Sequence, residues 1–149
     1  MDTRRPPQRV PGTGTPGRSG PARAGGAAPG ATGRAGEALA AEHLQRLGYR
    51  ILARNVRGPG GEIDLIAHDG RVIAFVEVKC TRGRSARAGE PLERLSIAQR
   101  RRLRALAAAW LRDRSAPQPF ARELRFDAIG VRLDCEGRLL ALDHLEAAW

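Results

Sequence analysis

The chain has 149 residues, 42% of them hydrophobic and 28% charged, which suffices for one domain with a modest core. Its net charge of +10 favours an anionic partner, nucleic acid above all, while the 4% of aromatic residues argues against a stacking platform for single strands. No apolar run nears the ~18 residues of a membrane span, and no apolar segment follows the first charges as in a secretory signal, so neither a membrane protein nor an exported one is expected.

Cys80 and Cys135 lie far apart, and neither they nor His43, His68 and His144 show zinc-type spacing. Free thiols without a disulfide pattern suit the cytoplasm. Residues 1–32 hold most of the ten prolines, five Arg and hardly any large apolar side chain. Such a segment cannot bury enough surface to offset its ordering entropy, so a disordered basic tail is expected there and the folded domain over residues 33–149. Gly33 to Leu47 reads as an Ala-rich helix with Leu39, Leu44 and Leu47, stopped by Gly48. Glu37 shares a face with Ala40, Ala41 and Leu44, so it points towards whatever that stripe covers. Its plainer role is to complement the helix dipole. Tyr49 to Val56 reads as a strand, ended by the turn Arg57-Gly58-Pro59-Gly60.

Gly61 to Lys79 reads as two strands around Asp69-Gly70, a two-residue turn signal whose central positions need positive φ. That turn sets His68 opposite Arg71, Glu62 opposite Glu77 and Asp64 opposite Phe75. Asp64 and Glu77 then become diagonal neighbours about 7 Å apart at Cα. Alternation puts Glu62, Asp64, Glu77 and Lys79 on one face. The second strand, Val72 to Val78, is apolar on both faces until Glu77, which marks it as central and covered. Charges in such a place are paired or hold a metal. A salt bridge across the strands on a solvated face is the simpler alternative. Lys79 is the one Lys among 26 basic residues. Arg neutralises a carboxylate equally well, but only Lys is a compact charge whose pKa falls readily on burial. A Lys beside Glu77 therefore suggests chemistry rather than general electrostatics.

Thr81 to Leu95 reads as a loop carrying Arg82, Arg84 and Arg87, long and basic enough to touch a substrate. Ser96 and Gln99 make a capping-box pattern for a helix that runs to about Arg114, with Leu103, Leu106, Ala107 and Trp110 as its apolar stripe. Arg100, Arg101, Arg102 and Arg104 crowd its early turns, where the helix dipole disfavours cations. A phosphate-facing patch explains that placement, and a solvated face is the plainer account. Leu124 to Leu133 and Leu139 to Leu145 read as two closing strands joined around Glu136-Gly137, giving the order αβββαββ.

Four segments in order resemble the YraN-like family of uncharacterised bacterial proteins. They are Gly33-Arg34-Ala35-Gly36-Glu37, Gly61-Glu62-Ile63-Asp64-Leu65-Ile66-Ala67, Phe75-Val76-Glu77-Val78-Lys79 and Arg125-Phe126-Asp127, and the likeness covers nearly all of residues 33–146. That family looks like a branch of the restriction-endonuclease-like superfamily, marked by an Asp followed by Glu-x-Lys, and is most similar to archaeal Holliday-junction resolvases. The resemblance implies an α/β, restriction-endonuclease-like core, with a mixed central sheet of about five strands flanked by helices. It implies Glu37, Asp64, Glu77 and Lys79 as candidate catalytic residues. Asp64, Glu77 and Glu37 would hold Mg²⁺ or Mn²⁺, with Glu62 a further candidate. Such a cation would offset charge building on the phosphate, and Lys79 would orient or deprotonate the attacking water.

The sequence departs from the superfamily pattern at Ile63, where Pro is frequent, and at Gln99, where relatives often carry Lys. The second departure passes any basic role on that helix to Arg100 or Arg101. The expected activity is metal-dependent hydrolysis of DNA, branched or repair intermediates included. A non-catalytic DNA-binding module that keeps the fold is the alternative, and RNA processing a third reading. Arg82, Arg84, Arg100, Arg101 and Arg104 are the expected nucleic-acid contacts. DNA is the expected partner, with no membrane, and a homodimer is the candidate assembly.

Overall fold

The computed structural model describes residues 8–11, 29–83, 95–113 and 115–149. Its elements run β1 (Gln8–Pro11), α1 (Pro29–Arg46), β2 (Arg50–Gly58), β3 (Gly61–His68), β4 (Val72–Arg82), α2 (Ile97–Arg112), β5 (Glu123–Leu133) and β6 (Leu139–Leu145). They form one sheet in the order β1-β6-β5-β4-β3-β2. Only β4 and β5 pair in parallel, so the sheet is mixed, as expected. From α1 onwards the order is the expected αβββαββ. A sixth strand, β1, pairs with β6 from within the segment read as a tail, and α1 starts at Pro29, four residues ahead of Gly33.

β4 is central and covered because its two faces serve two helices. Ala74 and Val76 pack with Ala40, Ala41 and Leu44 of α1. Ile73 and Phe75 pack with Leu103, Leu106 and Ala107 of α2. Small residues let α1 lie close to the sheet. A Cβ on Gly36 would stand 2.5 Å from Cys80 Cβ and 2.9 Å from its Sγ, so only glycine fits there. The start of α2 is local chemistry. Ser96 Oγ accepts from the Gln99 N–H at 3.2 Å, and Gln99 Oε1 accepts from the Ser96 N–H at 2.9 Å, completing the capping box.

The β3–β4 hairpin differs from the expected register by two residues. His68 pairs with Ile73, and the ladder runs to Leu65 opposite Val76. The connection is thus wider than Asp69-Gly70. Asp69 Oδ1 accepts from the N–H groups of Arg71 and Val72 at 2.8 and 2.7 Å, which closes the turn from its side chain. Arg71 is not free to pair with His68, because its carbonyl accepts from Arg122 and Glu123 at the start of β5. β2 also runs on to Gly58, leaving Pro59-Gly60 as its two-residue turn to β3.

Beneath α1 lies a buried polar chain that the histidine spacing did not foretell. Arg125 donates to both oxygens of Asp127 at 2.7 and 2.8 Å and to Tyr49 Oη at 2.8 Å. His144 Nε2 is 2.9 Å from Asp127 Oδ2, and its Nδ1 is 3.1 Å from His43 Nε2. Burial opposes ionisation of Asp127, but the His144 and Arg125 hydrogen bonds and the Arg125 charge outweigh it and hold the carboxyl below its usual range. The chain joins α1, the start of β2, β5 and β6, and so fixes α1 on the sheet.

Candidate functional site

The candidate site lies where β3 leaves β4. Their ladder ends at Leu65 and Val76, and one residue further this register sets Asp64 opposite Glu77 rather than diagonal to it. A shift of two residues keeps alternation in phase, but Ile63 packs in the α2 cluster and Leu65 in the α1 cluster, so simple alternation is broken beside Asp64. Asp64 turns its own carboxylate onto β4, where Oδ2 accepts from the Val78 N–H at 2.7 Å. Beyond this point a cleft of about 300 Å³ opens. Gly60, Gly61, Glu62 and Asp64 line one side, Glu77, Val78 and Lys79 the floor, and Gln99, Arg102, Leu103 and Leu106 of α2 the opposite wall.

Three carboxylates and one ammonium thus share the cleft. Lys79 Nζ donates to Glu77 Oε1 at 2.7 Å, with side chains 33% and 13% exposed. Glu62 is exposed and leans on Arg57 at 3.4 Å, a pair of little energetic weight. Asp64 is 8% exposed. Burial, then the Glu77 carboxylate and Glu37, outweigh the Val78 N–H and Lys79 and push its pKa up to about 7. Glu37 on α1 is raised too, first by burial and then by Glu62, with Glu77 adding to it against Arg34 and Arg54. Asp64 and Glu77 therefore converge, with Glu37 close enough for its charge to be felt. Among the described residues, no three Asp, Glu, His or Cys side chains meet tightly enough to enclose an ion as they stand. The donor chemistry nonetheless fits a hard divalent cation. All the donors are carboxylate oxygens, and a cation offsets both the burial that chiefly raises Asp64 and the repulsion from Glu77 and Glu37 that adds to it.

The arginines are placed differently from expectation. β4 continues through Arg82, whose Nε and Nη2 donate to Cys135 O at 3.2 and 2.7 Å, so it braces the β5–β6 turn. Arg84 and Arg87 lie outside the described residues. Arg100 Nε donates to Leu95 O at 3.2 Å, Arg104 lies over the Phe126 ring at 5.9 Å, and Arg101 is exposed. None of the three lines the cleft. The arginine of α2 that does is Arg102, beside Gln99, Leu103 and Leu106. Helical spacing held the clue, since 99, 102, 103 and 106 share a stripe with the buried Leu103 and Leu106. A roomier hollow of about 460 Å³ at the other end of α2 is lined by Arg50, Leu52, Trp110, Asp113 and residues 115–119. Among the described residues its charged groups are Arg50 and Asp113, with no carboxylate pair, so they lack the chemistry of the first cleft.

The fold is an α/β core, a mixed sheet with a helix on each face, which carries Asp64 on one strand and Glu77 and Lys79 on the next. The chain belongs to the uncharacterised protein family UPF0102, whose family model matches residues 36–131. A UPF0102 protein of Symbiobacterium thermophilum is 53% identical over 108 residues, which cover 72% of this chain and 86% of the relative. One from Renibacterium salmoninarum is 43% identical over 113 residues, 76% of this chain and 91% of the relative. One from Moorella thermoacetica is 43% identical over 117 residues, 78% and 93% respectively. Among the described residues no helix is long and apolar enough to cross a membrane.

Proposed function

We propose that this protein is a metal-dependent nuclease that hydrolyses phosphodiester bonds in DNA, including branched or repair intermediates. The observation that carries the reading is the convergence of Asp64 and Glu77 with Lys79 in one cleft, on a chain of net charge +10. A surface that only binds a polyanion gains nothing from carboxylates turned towards it. Asp64 and Glu77, with Glu37 beside them, would hold Mg²⁺ or Mn²⁺. When bound, such a cation neutralises charge developing on the phosphate and makes water more acidic.

The chain's own residues supply the remaining roles. The Val78 N–H fixes the Asp64 carboxylate in place. Lys79, one-third exposed at the cleft floor and paired with Glu77, would hold and orient the attacking water through its N–H donors. Leu103 and Leu106 form an apolar flank that limits water at the reacting phosphate. The test is cleavage of duplex, nicked and four-way-junction DNA by wild type and Glu77→Gln, with Mg²⁺, Mn²⁺ or chelator. Metal-dependent cutting by wild type, lost in the variant, is the expected result. Tight DNA binding with no cutting under any metal would replace this reading with the non-catalytic binding module.

A further inference from the structure

The wall of the cleft facing the carboxylates carries one cation that nothing described so far uses. Arg102 is exposed and lines the cleft together with Glu62, Asp64 and Glu77. Among the described residues it pairs with none of these acids. Its hydrogen bond is from Nη1 to Gly60 O at 3.4 Å, long for such a bond and occupying one of five N–H donors. The turn beneath it is shaped to bring it there. Gly60 has φ +88°, and a Cβ on it would stand 3.4 Å from Arg102 Cδ. A Cβ on Gly58 would stand 2.5 Å from Leu106 Cδ2. Glycines in the β2–β3 turn thus let this stripe of α2 settle onto the cleft, with the Arg102 guanidinium at its rim.

A guanidinium that faces an acidic cleft and, among the described residues, pairs with none of its acids and keeps donors to spare is placed for an anion lying between them. We propose that Arg102 is the phosphate-holding residue of this cleft, its planar fork taking the non-bridging oxygens of one DNA phosphate. This assignment rests on the nuclease reading above and names the group that recognises the phosphodiester. Guanidinium geometry matches phosphate oxygens two at a time, which a lysine ammonium cannot do. Arg101, on the same helix but turned to solvent, offers the same charge without the cleft.

The experiment compares full-length wild type, Arg102→Gln, Arg102→Lys and Arg101→Gln. Duplex binding is read by fluorescence anisotropy between 50 and 200 mM salt, with Ca²⁺ in place of Mg²⁺. Arg102→Gln should weaken binding about tenfold, the loss of a charge-assisted hydrogen bond, and flatten the salt slope by about one unit. Arg102→Lys should recover the slope but not the full affinity. Arg101→Gln should weaken binding less than about threefold, whereas Arg102→Gln should also lower the single-turnover rate at saturating DNA. Mn²⁺ affinity by calorimetry should be the same in all four. Equal behaviour of Arg102→Gln and Arg101→Gln overturns the assignment, as does a fall in Mn²⁺ affinity with Arg102→Gln, which would make Arg102 a prop for the metal site. A wild type that binds duplex but cuts nothing defeats the nuclease reading alone, and the binding comparison still decides Arg102. A wild type that binds no duplex defeats both.

Discussion

Asp64→Asn removes the charge of a buried carboxylate while keeping an oxygen to accept the Val78 N–H, now 2.7 Å away. Burial first, then Glu77 and Glu37, lift the Asp64 pKa from 3.8 to about 7 in the folded protein. Between those values the folded chain holds a proton that the unfolded chain has lost. Stability is therefore full below about pH 4 and falls as the pH rises towards 7, levelling off above it. Each unit of pKa is worth about 1.4 kcal/mol, so about three units set the cost of ionising Asp64 in place at roughly 4 kcal/mol. Part of this is repulsion shared with Glu77, which eases if either carboxylate takes a proton. A gain of about 2–4 kcal/mol for Asp64→Asn at pH 8 follows, vanishing near pH 4. Urea unfolding of both proteins at pH 4, 6 and 8 in chelator measures it. Mn²⁺ should then stabilise wild type and leave the variant unchanged, since only wild type retains the anionic pair. A variant no more stable than wild type at pH 8, or equally favoured at pH 4, would refute the account of the site as a cluster of repelling carboxylates.

Gly36→Ala should cost about 1–3 kcal/mol and weaken Mn²⁺ binding, because the new methyl meets Cys80 and pushes Glu37 with α1 away from the cleft. Thermal unfolding and calorimetry should show both effects eased in Gly36→Ala/Cys80→Gly. Arg125→Met should cost about 3–5 kcal/mol in urea unfolding at pH 7, since it strands the Asp127 carboxylate in the core with His144 and the Ala147 N–H. That loss should shrink in acid, where Asp127 without its guanidinium can take up a proton. Lys79→Arg should slow single-turnover cleavage at least about 100-fold while DNA and Mn²⁺ binding hold, because a wide planar guanidinium does not fit where one ammonium sits and would displace the water it orients. Near-wild-type cleavage would return Lys79 to an ion pair with Glu77.

Periodicity and local capping were legible in the sequence because both depend on neighbours in the chain. Alternation put Glu77 and Lys79 on one face of β4, with Val76 and Val78 on the other, and Ser96 with Gln99 announced α2 through a bond spanning three residues. The register itself was decided elsewhere, since the Arg71 carbonyl is claimed by Arg122 and Glu123 some fifty residues on. Arg82 was read as a loop residue because nothing nearby shows that parallel pairing with β5 carries β4 that far, to Leu133 and the Cys135 carbonyl. Likewise His43, His144 and Asp127 meet only once α1 is laid over β5 and β6. That Arg102 lines the cleft and Arg100 and Arg101 do not turned on how α2 is rotated about its axis. That rotation is set by Leu106 settling over Gly58 and Arg102 over Gly60, contacts between segments more than forty residues apart, whose energy exists only when the sheet is already built.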